Sequence, residues 1–146
     1  PSNKNPFLFN DLNFIPLICY EVIFSKYISD LITNKTELVV NITNDAWFGD
    51  TIGPYQHLQF AKIRAVEFGI PVARVANTGI SALFDPYGTL VSEIKLNQRG
   101  SVTSLLMENL QNTFFKLWGN YIFIFILIYV CFVNIFIFIR RGKFNE

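Results

Sequence analysis

Short apolar runs punctuate the first two thirds of this chain, stretches with apolar residues every three or four positions lie between them, and one unbroken apolar block follows near the end. Residues 14–19, Phe-Ile-Pro-Leu-Ile-Cys, have the length and continuity of a buried strand. After Cys19 the period changes: Ile23, Tyr27 and Leu31, with Ile28 and Ile32 beside them, recur at helical spacing, while Lys26, Ser29 and Asp30 take other faces. Cys19 therefore falls where a strand gives way to a helix. A loop at 33–36 leads to a second buried strand at 37–43, rich in β-branched residues, which runs into the polar and aromatic loop 44–50. Pro54 suits the first position of a helix and Gly69 its C-terminal cap. Between them Leu58, Ala61, Ala65 and Phe68 form an apolar stripe, with Lys62, Arg64 and Glu67 elsewhere. Residues 72–76 read as a third strand, residues 80–84 and 89–94 as a hairpin about the turn tetrad Asp85-Pro86-Tyr87-Gly88, and residues 101–107 as one more strand.

This order, strand and helix alternating before hairpins, predicts an α/β layer. The apolar block is a different object. Between Tyr121 and Ile139 it contains no charge and one amide, Asn134, and it matches the roughly 20 apolar residues that cross a bilayer. Its place at the far end excludes a signal peptide, and the lack of any polar face excludes an interfacial helix. Arg140-Arg141-Gly142-Lys143 follow it, and basic flanks stay on the cytoplasmic side, so the preceding part is expected to face outward. The expected organisation is a folded domain over 1–118, a transmembrane helix over 119–140 and a cytoplasmic tail over 141–146.

With 146 residues, 51% of them hydrophobic, the chain has room for about one domain. A formal net charge of +1 and the lack of a basic stripe interleaved with aromatics argue against a nucleic-acid partner. Cys19 and Cys131 fall in the folded part and in the apolar block, so they are not expected to pair. No cluster of His, Cys and carboxylates has metal spacing and no glycine loop suits a phosphate, so neither a metal nor a cofactor is expected.

Cys19 admits two readings, a small apolar core residue or a nucleophile held at the carboxyl edge of the sheet, where open α/β folds place ligands and a helix N-terminus favours a thiolate. Glu21 is either a first-turn acid that complements the helix dipole or a carboxylate that orients a substrate or another catalytic group. In the second role it needs a nearby cation, because a carboxylate alone favours the protonated thiol. His57, the single histidine, could pair with Cys19 as in papain-like enzymes or make a local bond in the first turn of its helix. Trp47 and Phe48 read as loop packing or as interfacial anchors.

Four motifs narrow these choices: Ile18-Cys19-Tyr20-Glu21, Asn44-Asp45-Ala46-Trp47-Phe48-Gly49, Gln56-His57 through Arg64-Ala65-Val66-Glu67, and Arg74-Val75-Ala76-Asn77-Thr78-Gly79-Ile80-Ser81. Together they resemble the C-terminal part of the apolipoprotein N-acyltransferase family, within the nitrilase, or carbon-nitrogen hydrolase, superfamily. Residues 113–120 resemble that family's exit into its last membrane helix. The resemblance implies the C-terminal half of a nitrilase-like α-β-β-α sandwich followed by one C-terminal transmembrane helix. It also implies a bacterial inner-membrane enzyme, multi-pass at full length, with a periplasmic catalytic domain and a cytoplasmic C-terminus. Cys19 would take an acyl chain from a phospholipid as a thioester and pass it to the amine of a diacylglyceryl apolipoprotein. Tyr20 and Glu21 would support the active site, and Trp47 and Phe48 would line the acyl and lipid entrance.

One departure from the family pattern is large. The family's triad runs Glu, Lys, Cys in chain order, with the first two well upstream, whereas here only 18 residues precede Cys19 and Lys4 is too close to stand on a separate strand. The chain, which begins at Pro1 rather than Met, is therefore expected to be a fragment, inactive alone, whose further partner is a missing N-terminal segment. The alternatives are a membrane-tethered nitrilase-type amidase and a non-catalytic, membrane-anchored remnant.

Overall fold

The computed structural model describes residues 6–142. Lys4 and the basic tail from Lys143 onward lie outside the described residues. The chain divides between Thr113 and Phe114 into two compact units.

In the first unit β1 (Phe7–Phe9), β2 (Leu12–Ile18), β3 (Leu38–Asn44), β4 (Val72–Asn77), β5 (Ser81–Phe84) and β6 (Leu90–Ile94) form one six-stranded sheet in chain order. β2, β3 and β4 are parallel, and β1, β5 and β6 extend the sheet antiparallel. Parallel neighbours need crossovers. α1 (Ser25–Leu31) lies between β2 and β3, and α2 (Gly53–Phe68) between β3 and β4.

The register stacks like with like. Ile15, Val39, Val72 and Phe84 pair in one row across the sheet, and all four are buried. α2 contributes Leu58, Ala61, Ala65 and Phe68 to the same core. Each large side chain so buried stabilises the fold by about 1.5–3 kcal/mol. Gly69 ends α2 in the left-handed region, φ 63°, with its N–H bonded to Ala65 O at 2.8 Å. The opposite sheet face is open: Ile18, Ile42 and Val75 are 58%, 50% and 56% exposed. One sheet with helices on one side is the α-β half of an α-β-β-α sandwich.

Several sequence expectations need correction. Residues 101–107 form no strand; they run without ladder partners beyond β6, with Leu105 90% exposed. The helix expected from Cys19 is a 3-10 turn over Cys19–Ile23 that breaks at Phe24, whose ψ of 85° is not helical, before α1 begins. β1 was not anticipated; Asn10 and Asp11, at φ 46° and 63°, close a tight hairpin back onto β2. Arg64 is buried rather than on an outer face, and it pairs with Glu67 at 3.0 Å.

The second unit holds α3 (Phe114–Trp118) and α4 (Tyr121–Gly142). Tyr121–Phe138 of α4 has a mean hydropathy of 2.8 and is long and apolar enough to cross a membrane. Its 22 residues span about 33 Å. The one amide, Asn134, donates to Val130 O at 2.7 Å, a bond made within the helix.

Candidate active site

Cys19 follows the last residue of β2 directly, at the carboxyl edge of the three parallel strands. Its φ is +51°, a left-handed conformation that costs a non-glycine residue about 1–2 kcal/mol. Such a conformation persists only where its surroundings hold it.

Asn41 supplies one hold. It pairs with Leu17 on one side and with Arg74 on the other, in the middle of the sheet, and it is fully buried. Its Nδ2 donates to Leu17 O at 3.2 Å and to Cys19 O at 3.1 Å. Its Oδ1 accepts Arg74 Nη1 at 2.8 Å, and because a guanidinium only donates, the orientation of the amide is fixed. Glu21 supplies the other hold, since its Oε2 accepts the N–H of Ile18 at 2.7 Å. Arg74, Asn41 and Glu21 together clamp the turn that carries the thiol.

The next positions on that face of β3 continue the polar row. Thr43 Oγ1 lies 3.5 Å from Cys19 Sγ and 3.3 Å from Asp45 Oδ1. Asp45 is buried; its Oδ1 meets His57 Nδ1 at 2.9 Å and its Oδ2 meets Arg74 Nη2 at 2.6 Å. Arg74 Nε also donates to Ile80 O at 3.3 Å. A carboxylate only accepts, so the bond to Asp45 is donated by His57 Nδ1, which also lies 3.2 Å from Arg74 Nη2, while Nε2 is buried with no hydrogen-bond partner among the described residues. The imidazole stacks on Tyr20 at 4.7 Å and meets Phe48 edge-on at 5.9 Å.

Burial is the largest influence on the Asp45 carboxyl and opposes its ionisation, yet the hydrogen bond from His57 and the charge of Arg74 outweigh it and hold the group below the ordinary range. Burial also lowers the Arg74 guanidinium, against Asp45 and, more weakly, Cys19, both of which favour its charged form. An arginine stays protonated regardless. Arg74 is thus a buried cation linked to the Cys19 turn through Asn41, which bonds both Arg74 Nη1 and Cys19 O.

Of the residues singled out from sequence, Cys19, Tyr20 and Glu21 share the turn, and Phe48 joins Tyr20 at 6.2 Å between ring centres. Trp47 stands apart, 85% exposed. His57 binds Asp45, and among the described residues no hydrogen bond joins it to Cys19. Sequence reasoning missed Asn41, Thr43, Asp45 and Arg74 as site residues. Their signal was present: polar residues at alternating positions through an apolar strand, and an arginine in the middle of another.

Known proteins resemble this chain over most of its length. An apolipoprotein N-acyltransferase from Rickettsia bellii is 40% identical over 126 residues, 85% of this chain and 25% of that protein. One from Rhizobium rhizogenes is 53% identical over 91 residues, 62% of this chain and 17% of that protein. The chain spans a quarter or less of the length of these relatives. Among solved structures, an amidase from Nesterenkonia sp. superposes with a TM-score of 0.49 at 24% identity, covering 66% of this chain and 39% of that one. The carbon-nitrogen hydrolase family model matches residues 4–113. That span takes in the whole sheet, both crossover helices and every residue of the Cys19 site, and the fold is the nitrilase-like α/β arrangement expected from the motifs. The chain belongs to the carbon-nitrogen hydrolase family.

Proposed function

We propose that this chain is the nucleophile-bearing part of a phospholipid-dependent apolipoprotein N-acyltransferase. The observation that carries the reading is the presentation of Cys19 at the sheet edge, on a strained turn clamped by Asn41 and Glu21, with buried Arg74 bonded to Asn41 behind it. The names of the curated relatives support the acyl-transfer chemistry.

In the first step the Cys19 thiolate attacks the ester carbonyl of a phospholipid; the carbon–sulfur bond forms, the ester carbon–oxygen bond breaks, and the lysophospholipid leaves with a proton. In the second, the α-amine of a diacylglyceryl-cysteine attacks the thioester; the amide forms, the amine gives up its proton and the thiolate returns. Tyr20 and Phe48 form an aromatic wall beside the turn. Exposed Trp47 suits contact with lipid at the bilayer interface.

The reading places the catalytic unit in the periplasm of a bacterium, residues 119–140 across the inner membrane and residues 141–146 in the cytoplasm. The open apolar face at Ile18, Ile42 and Val75 is where a second sheet would close the sandwich. In the family pattern that part brings a Glu as general base and a Lys that stabilises the oxyanion, and the reading expects transfer only where both are supplied. The test is N-acylation of a diacylated lipopeptide from phospholipid, with and without a polypeptide that supplies the second sheet. Transfer only in the combined sample, and none with Cys19→Ser, is the expected result. Transfer by the chain alone overturns the dependence on a second sheet, and transfer that survives Cys19→Ser overturns the nucleophile.

A further inference from the structure

We propose that the Thr43 hydroxyl is a two-position donor that positions and stabilises the Cys19 thiolate. The inference rests on the reading of Cys19 as a nucleophile, and Thr43 acts through the sulfur without touching substrate.

One hydroxyl proton stands between two acceptors, Cys19 Sγ at 3.5 Å and Asp45 Oδ1 at 3.3 Å. Thr43 is 6% exposed, so bulk water competes little for that proton. Its β-branched side chain, on a strand, fixes the oxygen while the proton rotates. With Cys19 as a thiol, the hydroxyl donates to Asp45 and offers a lone pair to the S–H. Once the thiol proton has gone to a base or to water, the hydroxyl turns and donates to the anionic sulfur.

Asp45 tolerates the loss because its Oδ1 keeps His57 Nδ1 and its Oδ2 keeps Arg74 Nη2. That redundancy keeps the loss at Asp45 small, while at the sulfur a charge-assisted O–H···S bond to the anion replaces the neutral S–H···O contact and is about twice as strong. The ionisable groups around the sulfur are Tyr20 and Glu21 on its own turn, Asp45 after β3, His57 on α2 and Arg74 on β4. Glu21 is engaged by Ile18 N, and the charge of Asp45 is matched by Arg74. Among the described residues, Thr43 is the hydrogen-bond donor that meets Sγ.

The experiment is the pH profile of Cys19 alkylation by iodoacetamide in the full chain, read by mass spectrometry on the Cys19 peptide so that Cys131 does not interfere. Thr43→Val keeps the shape and removes the proton; its profile is expected to move to higher pH by about one unit or more. Thr43→Ser keeps the hydroxyl and is expected to stay within a few tenths of a unit of the parent. Cooperative unfolding is checked on the same samples, and Thr43→Ala replaces the valine variant if that variant fails to fold. A hydroxyl-free variant that titrates with the parent, or a serine variant that moves as far as valine, overturns the proposal. Alkylation needs no lipid, so a shifted profile in a protein that never forms a phospholipid-derived thioester retains Thr43 and removes the acyl-transfer reading.

Discussion

Replacing Arg74 with leucine tests the buried network at its centre. Arg74 is 1% exposed and donates to Asn41 Oδ1, Asp45 Oδ2 and Ile80 O. Its removal leaves a buried carboxylate without its cation and a buried amide oxygen without its donor. Breaking a buried pair from one side costs about 3–5 kcal/mol, a large share of the roughly 5–15 kcal/mol that holds a domain folded. Asp45→Asn breaks the same pair from the other side. The double variant Arg74→Leu/Asp45→Asn buries no unpaired charge, so its loss is expected to fall short of the sum of the single losses by about 2–3 kcal/mol. Denaturant unfolding of the full chain in mild detergent, followed by far-ultraviolet circular dichroism, measures all three. The linkage also has a pH signature. Asp45 titrates lower in the folded chain, so its contribution is complete above the ordinary carboxylate range and is lost as pH falls through the folded value; the double variant lacks that acid limb. A loss below about 1 kcal/mol for Arg74→Leu, or strictly additive single losses, would refute the reasoning.

Three other perturbations probe the supports of the site. Gly79→Ala sets a methyl group against Asp45 Oδ2 and 2.7 Å from Asp45 Cβ, so it is expected to push the carboxylate off Arg74 and lower stability by about 1–3 kcal/mol, read from the unfolding midpoint. Glu21→Ala removes the acceptor for Ile18 N and is expected to cost about 0.5–2 kcal/mol, while Glu21→Gln keeps a carbonyl acceptor and recovers most of the loss; equal damage from both would assign the role to the negative charge instead. Glu67 is held above the ordinary carboxylate range, by burial first, against Arg64 and Ser25. Its contribution is complete below the unfolded value and is lost as pH rises through the folded one, so Glu67→Gln is expected to flatten that decline in a pH series of unfolding midpoints.

The sheet was legible because each central strand is a short apolar run and α2 is bounded by Pro54 and Gly69. The position of Cys19 was legible from the change of period alone. The support beneath it was not, because it depends on parallel register: pairing of Leu17 with Asn41 and of Asn41 with Arg74 sets three distant residues in one row, and no local pattern encodes that alignment. The burial of Arg64 escapes the sequence for a related reason, since a charge on a helix reads as solvated unless a partner that meets it, here the part-buried Glu67 beside Ser25, is known. Residues 101–107 show the converse, a short apolar segment with no strand beside it to complete a ladder.

The central claim, that Cys19 becomes an acyl-enzyme, is tested most directly by trapping the intermediate. The full chain, joined by a polypeptide that completes the sandwich, is incubated with phospholipid and no acceptor, then digested and weighed. The account predicts a fatty-acyl adduct on the Cys19 peptide that hydroxylamine removes and that Cys19→Ser abolishes. An unmodified Cys19 peptide in a sample that goes on to acylate a lipopeptide would contradict it.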